Sequence, residues 1–231
     1  EKFAEKEIKE VAPIMHELRY VKSAIEIALM QNACDITEKG LRRILPFIKP
    51  GVMEYEIEAE LMHEFLRNRS AGFAYQPIIG SGIDSCVLHY IENNKICKDG
   101  DILLMDFGAE YANYASDLTR TVPVNGRFSK RQTCVYASVL RVMKEATNML
   151  RPGTIIAEYH KEVGKIMESE LIQLGLLDKH DVQKQDAENP LYKKYFMHGT
   201  SHYLGLDVRD VGSFETPMRE GMVFTCEPGI Y

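Results

Sequence analysis

Apolar residues recur at helical spacing in four stretches of the chain, and the two members of each pair are separated by a Pro-Gly break. Lys49-Pro50-Gly51 divides the first pair and Arg151-Pro152-Gly153 divides the second. Proline and glycine at these points end a helix and start a loop. The pattern predicts helices over residues 5–45, 55–69, 130–150 and 156–175.

Shorter apolar runs between these helices predict strands. Residues 73–82 (FAYQPIIGSG) read as a strand that enters a glycine-rich turn, and residues 86–90 (CVLHY) read as a short strand before a turn at Asn93-Asn94. Residues 101–108 (DILLMDFG) begin a hairpin whose turn falls at Ala112-Asn113, because asparagine tolerates the left-handed backbone of a tight turn. The polar segment 178–194 is predicted to lie on the surface.

Two of the apolar runs share one plan. Gly100 opens a run that ends in Asp106, and Gly221 opens a run that ends in Glu227, with the acid six residues after the glycine in both. Each run also follows a helix pair with its own Pro-Gly break. The chain is therefore predicted to be an α+β protein with an internal pseudo-duplication, in which two α+β halves share a sheet and hold a site between them.

The acids at the ends of these strands are the candidate chemistry. In the predicted hairpin Asp106 faces Thr119, and Asp117 lies two residues along on the same face, at a Cα separation of about 7–8 Å. Either aspartate alone is explained by a solvated hairpin or by a pair with Arg120. Together with Glu227 they form a set of carboxylates at strand ends, which is costly unless a cation meets it.

A histidine pair lies between the two acid-bearing runs. His198 and His202 are four residues apart in FMHGTSHYLGLD, where the intervening residues favour a loop over a helix. Oxygen ligands with one imidazole and no thiolate suit Mn²⁺, Co²⁺, Fe²⁺ or Zn²⁺. Several carboxylates around one histidine predict two ions that share bridging acids. Such ions, about 3.5–4 Å apart, activate a bridging hydroxide and polarise a carbonyl during hydrolysis.

Composition excludes several other classes of function. The 231 residues are 45% hydrophobic and 27% charged, with a net charge of −6, which argues against a nucleic-acid or membrane-surface binder. The five cysteines include no C-x-x-C pair, so they are expected to be reduced thiols of a cytoplasmic protein. The absence of an initiating Met and the end at Tyr231 predict a fragment, with any targeting signal upstream.

Four segments, in order, resemble the "pita-bread" metallopeptidases, which include Xaa-Pro aminopeptidases, prolidases and methionine aminopeptidases. The resemblance covers nearly all of the chain and is closest to the Xaa-Pro aminopeptidase branch, through LHYIENN and HGTSHYLGLD. It implies a pita-bread fold, with two pseudo-symmetric halves around a curved, mostly antiparallel sheet. The segments are GSGIDSCVLHYIENN, DGDILLMDFGAEYANYASDLTRTVPVNG, FMHGTSHYLGLDV and GMVFTCEPGIY.

The resemblance also implies roles for individual residues. The metal ligands are expected to be Asp106, Asp117, His202 and Glu227, and Glu227 is also expected to move the proton to the leaving nitrogen. His198 and His89 correspond to histidines that bind substrate and steady the tetrahedral intermediate. The family's remaining bridging glutamate would lie beyond the end of the chain.

One position departs from the family pattern. The family usually continues LGLDVHD, whereas this chain has Arg209 in place of that histidine, which is expected to contact substrate near the scissile amide. Arginine donates hydrogen bonds and stabilises negative charge but does not accept a proton. Catalysis is therefore expected to be altered or weakened at this position.

The function implied is removal of the N-terminal residue from peptides with proline in second position, by two divalent ions, Mn²⁺ being favoured. Residues 1–231 would be a single catalytic domain without the family's N-terminal domain, in a protein able to form homo-oligomers. The alternatives are a prolidase that cleaves Xaa-Pro dipeptides and, in a different class, a catalytically weak or inactive domain that binds partners. Methionine aminopeptidase is a poorer match, because that branch lacks LHYIENN and the double histidine.

Overall fold

A computed structural model describes residues 10–231 and has the predicted mixture of helices and antiparallel strands. The helices are α1 (Ala12–Tyr20), α2 (Ala24–Ile44), α3 (Glu54–Arg67), α4 (Lys130–Met149), α5 (Ile156–Gln173) and α6 (Lys179–Gln183). The strands are β1 (Gly72–Phe73), β2 (Ile78–Ser81), β3 (Ile102–Phe107), β4 (Ala109–Tyr111), β5 (Tyr114–Ala115) and β6 (Leu118–Pro123). Two 3₁₀ helices cover Gly82–Cys86 and Leu191–Lys194.

The first predicted helix is two helices. The chain breaks between α1 and α2, where Ser23 accepts a hydrogen bond from the Glu26 N–H and the Glu26 carboxylate accepts one from the Ser23 N–H. This reciprocal capping box starts a new helix although the apolar spacing continues across it. Residues 5–9 of the prediction lie outside the described part of the chain. The other three predicted helices are confirmed as α3, α4 and α5.

The predicted hairpin is confirmed in position and register. β3 pairs with β6, with Asp106 opposite Thr119, and the turn uses left-handed backbone at Ala112 and Asn113, with φ of 52° and 69°. Between the strands the chain crosses very closely. A Cβ on Gly108 would lie 1.8 Å from the Ser116 carbonyl oxygen, so only glycine fits there.

Two predicted strands are wrong. Residues 86–90 are the end of a 3₁₀ helix and an exposed turn, because the preceding residues fold back on β2 and leave no partner strand alongside. Residues 221–227 are extended but form only one β-bridge, between Phe224 and Tyr203. They are held to residues 200–204 by separate backbone hydrogen bonds, so the second acid-bearing run resembles the first in sequence more than in pairing.

Two apolar cores support the site from either side. The first lies between α2, α3 and the sheet of β2, β3 and β6, and includes the fully buried Phe65 and Phe107. The second lies between α4 and α5 and includes Phe196, which precedes the histidine pair. In the predicted surface segment 178–194, Tyr192 is buried against this second core. None of the helices in the described residues is long and apolar enough to cross a bilayer.

Candidate metal centre

The hairpin brings Asp106 and Asp117 together. Asp106 lies near the end of β3, and Asp117 directly precedes β6 on the returning strand. The Tyr75 hydroxyl bridges them, since it donates to Asp106 Oδ1 and lies 3.1 Å from Asp117 Oδ1. Two carboxylates from one hairpin thus face a common point.

His202 joins these acids to Glu227. Its Nε2 is 3.3 Å from Asp117 Oδ2 and 3.2 Å from Glu227 Oε1. One chain of contacts therefore links all four predicted metal ligands. It runs from Asp106 through the Tyr75 hydroxyl to Asp117, and from there through His202 to Glu227. Asp117 and His202, which contact each other here, lie 85 positions apart in sequence.

Hydrogen bonds fix the orientation of His202 and Glu227. His202 Nδ1 lies 2.8 Å from the Tyr203 carbonyl oxygen, which can only accept, so Nδ1 carries a proton. Nε2 then points toward the acids, as in histidine ligands whose second nitrogen donates to a carbonyl. Thr225 accepts from the His202 N–H at 3.0 Å and donates to Glu227 Oε1 at 2.8 Å, which ties the two side chains to one frame.

Within residues 10–231, His202 is the only basic side chain that forms an ion pair with the acids of the cluster. Burial, reinforced by Asp117 and Glu227, raises the pKa of Asp106 from its ordinary value to about 7. Burial lowers the pKa of His202, but its hydrogen bonds to Asp117 and Glu227 outweigh this and raise it to about 10. Burial opposes ionisation of Glu227, yet its bonds to His202 and Thr225 bring its pKa below the ordinary value. Protons on Asp106 and His202 occupy positions that a cation would take.

The donor set fits a divalent ion in chemistry. Three carboxylates and one imidazole are the ligands that Mn²⁺, Co²⁺, Fe²⁺ and Zn²⁺ accept. As placed, no three His, Cys, Asp or Glu side chains within residues 10–231 converge at coordination distance. Instead, the Tyr75 hydroxyl lies between the carboxylates of Asp106 and Asp117, and the His202 ring lies between those of Asp117 and Glu227. A bound ion would bring these carboxylates closer together.

His198 forms a hydrogen bond with Tyr231, a residue whose phenol senses the charges of the cluster. His198 Nδ1 donates to the Gly199 carbonyl oxygen at 2.8 Å, so Nε2 accepts from the Tyr231 hydroxyl at 3.2 Å. Burial, together with the nearby Asp106 and Glu227, raises the pKa of Tyr231 to about 12. Its phenol therefore remains a hydrogen-bond donor beside the acids.

The other two predicted site residues do not contact the ligands. His89 is exposed in the turn after the first 3₁₀ helix, and Arg209 is exposed in the loop after Gly205. In the described part of the chain, neither side chain makes a hydrogen bond or an ion pair with a residue of the cluster. Their roles in substrate binding stay predictions.

Sequence reasoning missed four residues that shape this site. Tyr75 lies in a run read only as strand, Thr225 lies among the apolar residues before Glu227, and Tyr231 ends the chain. His160, on α5, accepts hydrogen bonds at Nδ1 from the Thr200 hydroxyl at 2.8 Å and the Thr200 N–H at 3.3 Å, which fixes the loop between the two histidines. None of these residues carries a spacing signal, because each meets its partner through tertiary contact.

Comparisons with known proteins identify the family of this chain. The model of metallopeptidase family M24 matches residues 28–231. Xaa-Pro aminopeptidase of Escherichia coli (strain K12) is 44% identical over 223 residues, which cover 95% of this chain and 50% of the relative. The chain thus spans about half the length of the curated relatives it matches.

Solved structures show the same fold. Aminopeptidase PepP of Pseudomonas aeruginosa superimposes with a TM-score of 0.92 at 37% identity, over 98% of this chain and 52% of that one. Zinc-substituted E. coli aminopeptidase P in complex with product gives 0.90 at 42% identity, over 96% and 51%. The predicted α+β, pita-bread fold is confirmed. The chain belongs to metallopeptidase family M24.

Proposed function

We propose that this protein is a metal-dependent aminopeptidase that removes the N-terminal residue from peptides with proline in second position. The observation that carries the proposal is the linked cluster of Asp106, Asp117, His202 and Glu227, in which hydrogen bonds hold the side chain of every predicted metal ligand. The similarity to Xaa-Pro aminopeptidases supports the substrate class. The chain is proposed to be one catalytic domain of a cytoplasmic protein that is able to form homo-oligomers.

Asp106, Asp117, His202 and Glu227 would hold two divalent ions, with Mn²⁺ as the first candidate. Such ions supply Lewis-acid polarisation of the scissile carbonyl and a nucleophile from water at neutral pH. Glu227 would take up a proton and pass it to the leaving proline nitrogen, while its Oε1 accepts from Thr225. The free amine of the peptide would bind near Asp106.

His198 and Tyr231 form a hydrogen-bonded pair. The Tyr231 hydroxyl donates to His198, and rotation of that hydroxyl would present a hydrogen-bond donor to an oxyanion. His89 and Arg209 are proposed to contact substrate at the rim. Arg209 would stabilise negative charge without exchanging a proton.

The decisive experiment is hydrolysis of Xaa-Pro-containing tripeptides by the full-length protein, with Mn²⁺, Co²⁺, Fe²⁺ and Zn²⁺ supplied in turn. Release of the first residue from Xaa-Pro but not from matched Xaa-Ala peptides is expected. Asp117→Asn is the matched loss-of-ligand variant, and calorimetry with Mn²⁺ reports its metal binding separately. Metal binding without any proline-dependent release would refute the proposal.

Two other functions are tested by the same assay. A prolidase would cleave Xaa-Pro dipeptides and leave tripeptides intact. A partner-binding domain would show neither activity, and Arg209 in place of histidine is the feature that favours it. The retained ligand cluster favours the enzyme.

A further inference from the structure

Glu54 is a fully buried carboxyl group that the site described above does not include. It opens α3 and has no solvent exposure. Four donors meet it. Oε1 accepts from the Ser81 N–H at 2.8 Å and the Ser81 hydroxyl at 2.7 Å, and Oε2 accepts from the Tyr90 hydroxyl at 2.8 Å and the Lys95 N–H at 3.0 Å. A buried carboxyl is tolerated only when its oxygens are satisfied in this way.

All four donors belong to the two ends of one segment. Ser81 closes β2 just before residues 82–95, and Tyr90 and Lys95 lie in its returning arm. A second bond spans the segment, because the Lys95 ammonium pairs with Asp84. One carboxyl group thus holds the outgoing and returning arms together, with His89 on the exposed turn between them.

The returning arm is also tied to the strand beside the metal centre. The Asn93 side chain, 2% exposed, accepts from the Ile79 N–H and donates to the Pro77 carbonyl oxygen, both at 2.9 Å. These two residues flank Ile78, which pairs with Asp106 in the sheet. The segment therefore leaves the sheet after Ser81, and its returning arm rejoins the sheet at the level of Asp106, a predicted metal ligand.

Tyr90 is held as a donor in this arrangement. Burial, followed by the hydrogen bond to Glu54, raises the pKa of its phenol well above the ordinary value. The phenol keeps its proton and donates to the carboxyl. The four polar bonds join α3 to the segment and are not contacts within the helix.

We propose that Glu54 is a positioning residue, which fixes residues 82–95 and with them the exposed turn that carries His89. The part of this inference that concerns catalysis rests on the proposed function, through the role of His89. Glu54 touches neither substrate nor metal and acts only through the segment that it anchors. Nothing in the spacing of the sequence marks it, because Glu54 reads as an ordinary acid in the first turn of a helix.

The first test is hydrogen exchange on the full-length protein with Glu54→Gln. Glutamine keeps the shape of the side chain but turns an amide NH₂ toward one pair of donors, so one arm loses its acceptor. Exchange of the amides in residues 82–95 is expected to rise roughly tenfold or more, while α4 and α5 stay protected. Glu170→Gln is the matched control, since Glu170 is a buried carboxylate on α5 that pairs with Arg141 and does not touch the segment.

The second test is kinetic and uses His89→Ala. If Glu54 acts through His89, Glu54→Gln lowers kcat/KM for an Xaa-Pro tripeptide on the order of tenfold in the native background and has little further effect in the His89→Ala background. Tyr90→Phe removes one of the four donors and should give a smaller change in the same direction. It carries both tests if Glu54→Gln does not fold.

The outcomes are distinct. Unchanged exchange in residues 82–95 overturns the anchoring, and multiplying effects of Glu54→Gln and His89→Ala overturn the link to His89. An active protein that is indifferent to His89→Ala overturns that link as well. If the native protein cleaves no Xaa-Pro peptide, the proposed function fails, and the exchange result alone then decides whether Glu54 anchors the segment.

Discussion

The ion pair between Lys22 and Asp210 offers a quantitative test of how the start of the chain supports the site. Both side chains are 1% exposed, and Lys22 Nζ lies 3.0 Å from Asp210 Oδ2. Arg19 Nη2 lies 2.5 Å from Asp210 Oδ1. The residue before Asp210 is Arg209, and the Lys22 N–H donates to the Gly221 carbonyl oxygen at 2.8 Å, so these residues also border the run that leads to Glu227.

Removal of both partners should cost less than the sum of the two single removals. Asp210→Asn leaves the buried Lys22 ammonium without its anion, which should lower the free energy of unfolding by about 3–5 kcal/mol. Lys22→Met should cost about 3 kcal/mol, the lower end of that range, because Arg19 still faces Asp210. The double variant should lose at least 1.5 kcal/mol less than the sum, roughly the coupling expected of a buried contact pair.

Urea unfolding with linear extrapolation measures all three values, and an unchanged slope shows that the unfolded reference is the same. The matched control is Arg42→Met with Glu38→Gln, an exposed pair four residues apart on α2, whose side chains are 74% and 56% exposed. That pair should couple by about 0.5 kcal/mol or less. If the losses in the free energy of unfolding for Lys22→Met and Asp210→Asn are additive, the two buried side chains are not energetically coupled and the reasoning is refuted.

Three further predictions concern the site. With a chelator present, the free energy of unfolding should fall as pH rises from about 4 to 7, because folded Asp106, whose pKa is raised to about 7, keeps a proton that the unfolded chain has already released. It should fall further between pH 6.5 and about 10, because folded His202, whose pKa is raised to about 10, keeps its proton over that range while the unfolded chain does not. Urea unfolding at a series of pH values measures both decreases. A stability independent of pH over this range would contradict the charge imbalance. Gly108→Ala should lower the free energy of unfolding by about 2–3 kcal/mol and weaken Mn²⁺ binding, because the new Cβ would lie 1.8 Å from the Ser116 carbonyl oxygen. A thermal melt measures the first effect and calorimetry the second. An unchanged melt would contradict the close approach of the backbone at Gly108. Arg209→His should raise kcat/KM for an Xaa-Pro tripeptide and add a pH dependence near neutrality, since histidine exchanges a proton there and arginine does not; an unchanged pH profile would place residue 209 away from substrate.

Local patterns account for what the sequence predicted correctly. The alternation in β3 and the left-handed preference at Asn113 determine the hairpin register, and this register places Asp106 near Asp117 without reference to the rest of the fold. The break before α2 was also signalled, by Ser23 and Glu26 at capping-box spacing, but the continuous apolar spacing favoured a single helix.

Other features depend on partners that no local pattern reveals. Residues 86–90 have strand-like composition, yet with no neighbouring strand they form a turn. Tyr75 bridges two aspartates through tertiary contact, 31 and 42 residues from its partners in sequence. The same holds for Glu54, whose position in the first turn of α3 accounts for a helix but not for four hydrogen bonds to residues 81–95.

The contact between Lys22 and Asp210 also constrains the order in which the protein assembles. It joins residues 188 positions apart. Closing a loop of that length costs more conformational entropy than forming a local helix or hairpin. Contacts of such high sequence separation form late. During synthesis α2, α3 and the hairpin of Asp106 and Asp117 are able to fold as soon as they emerge, whereas Lys22 waits until residue 210 and its neighbours have been made. Asp106 and Asp117 are therefore synthesised, and their hairpin is able to form, well before His202 and Glu227 exist.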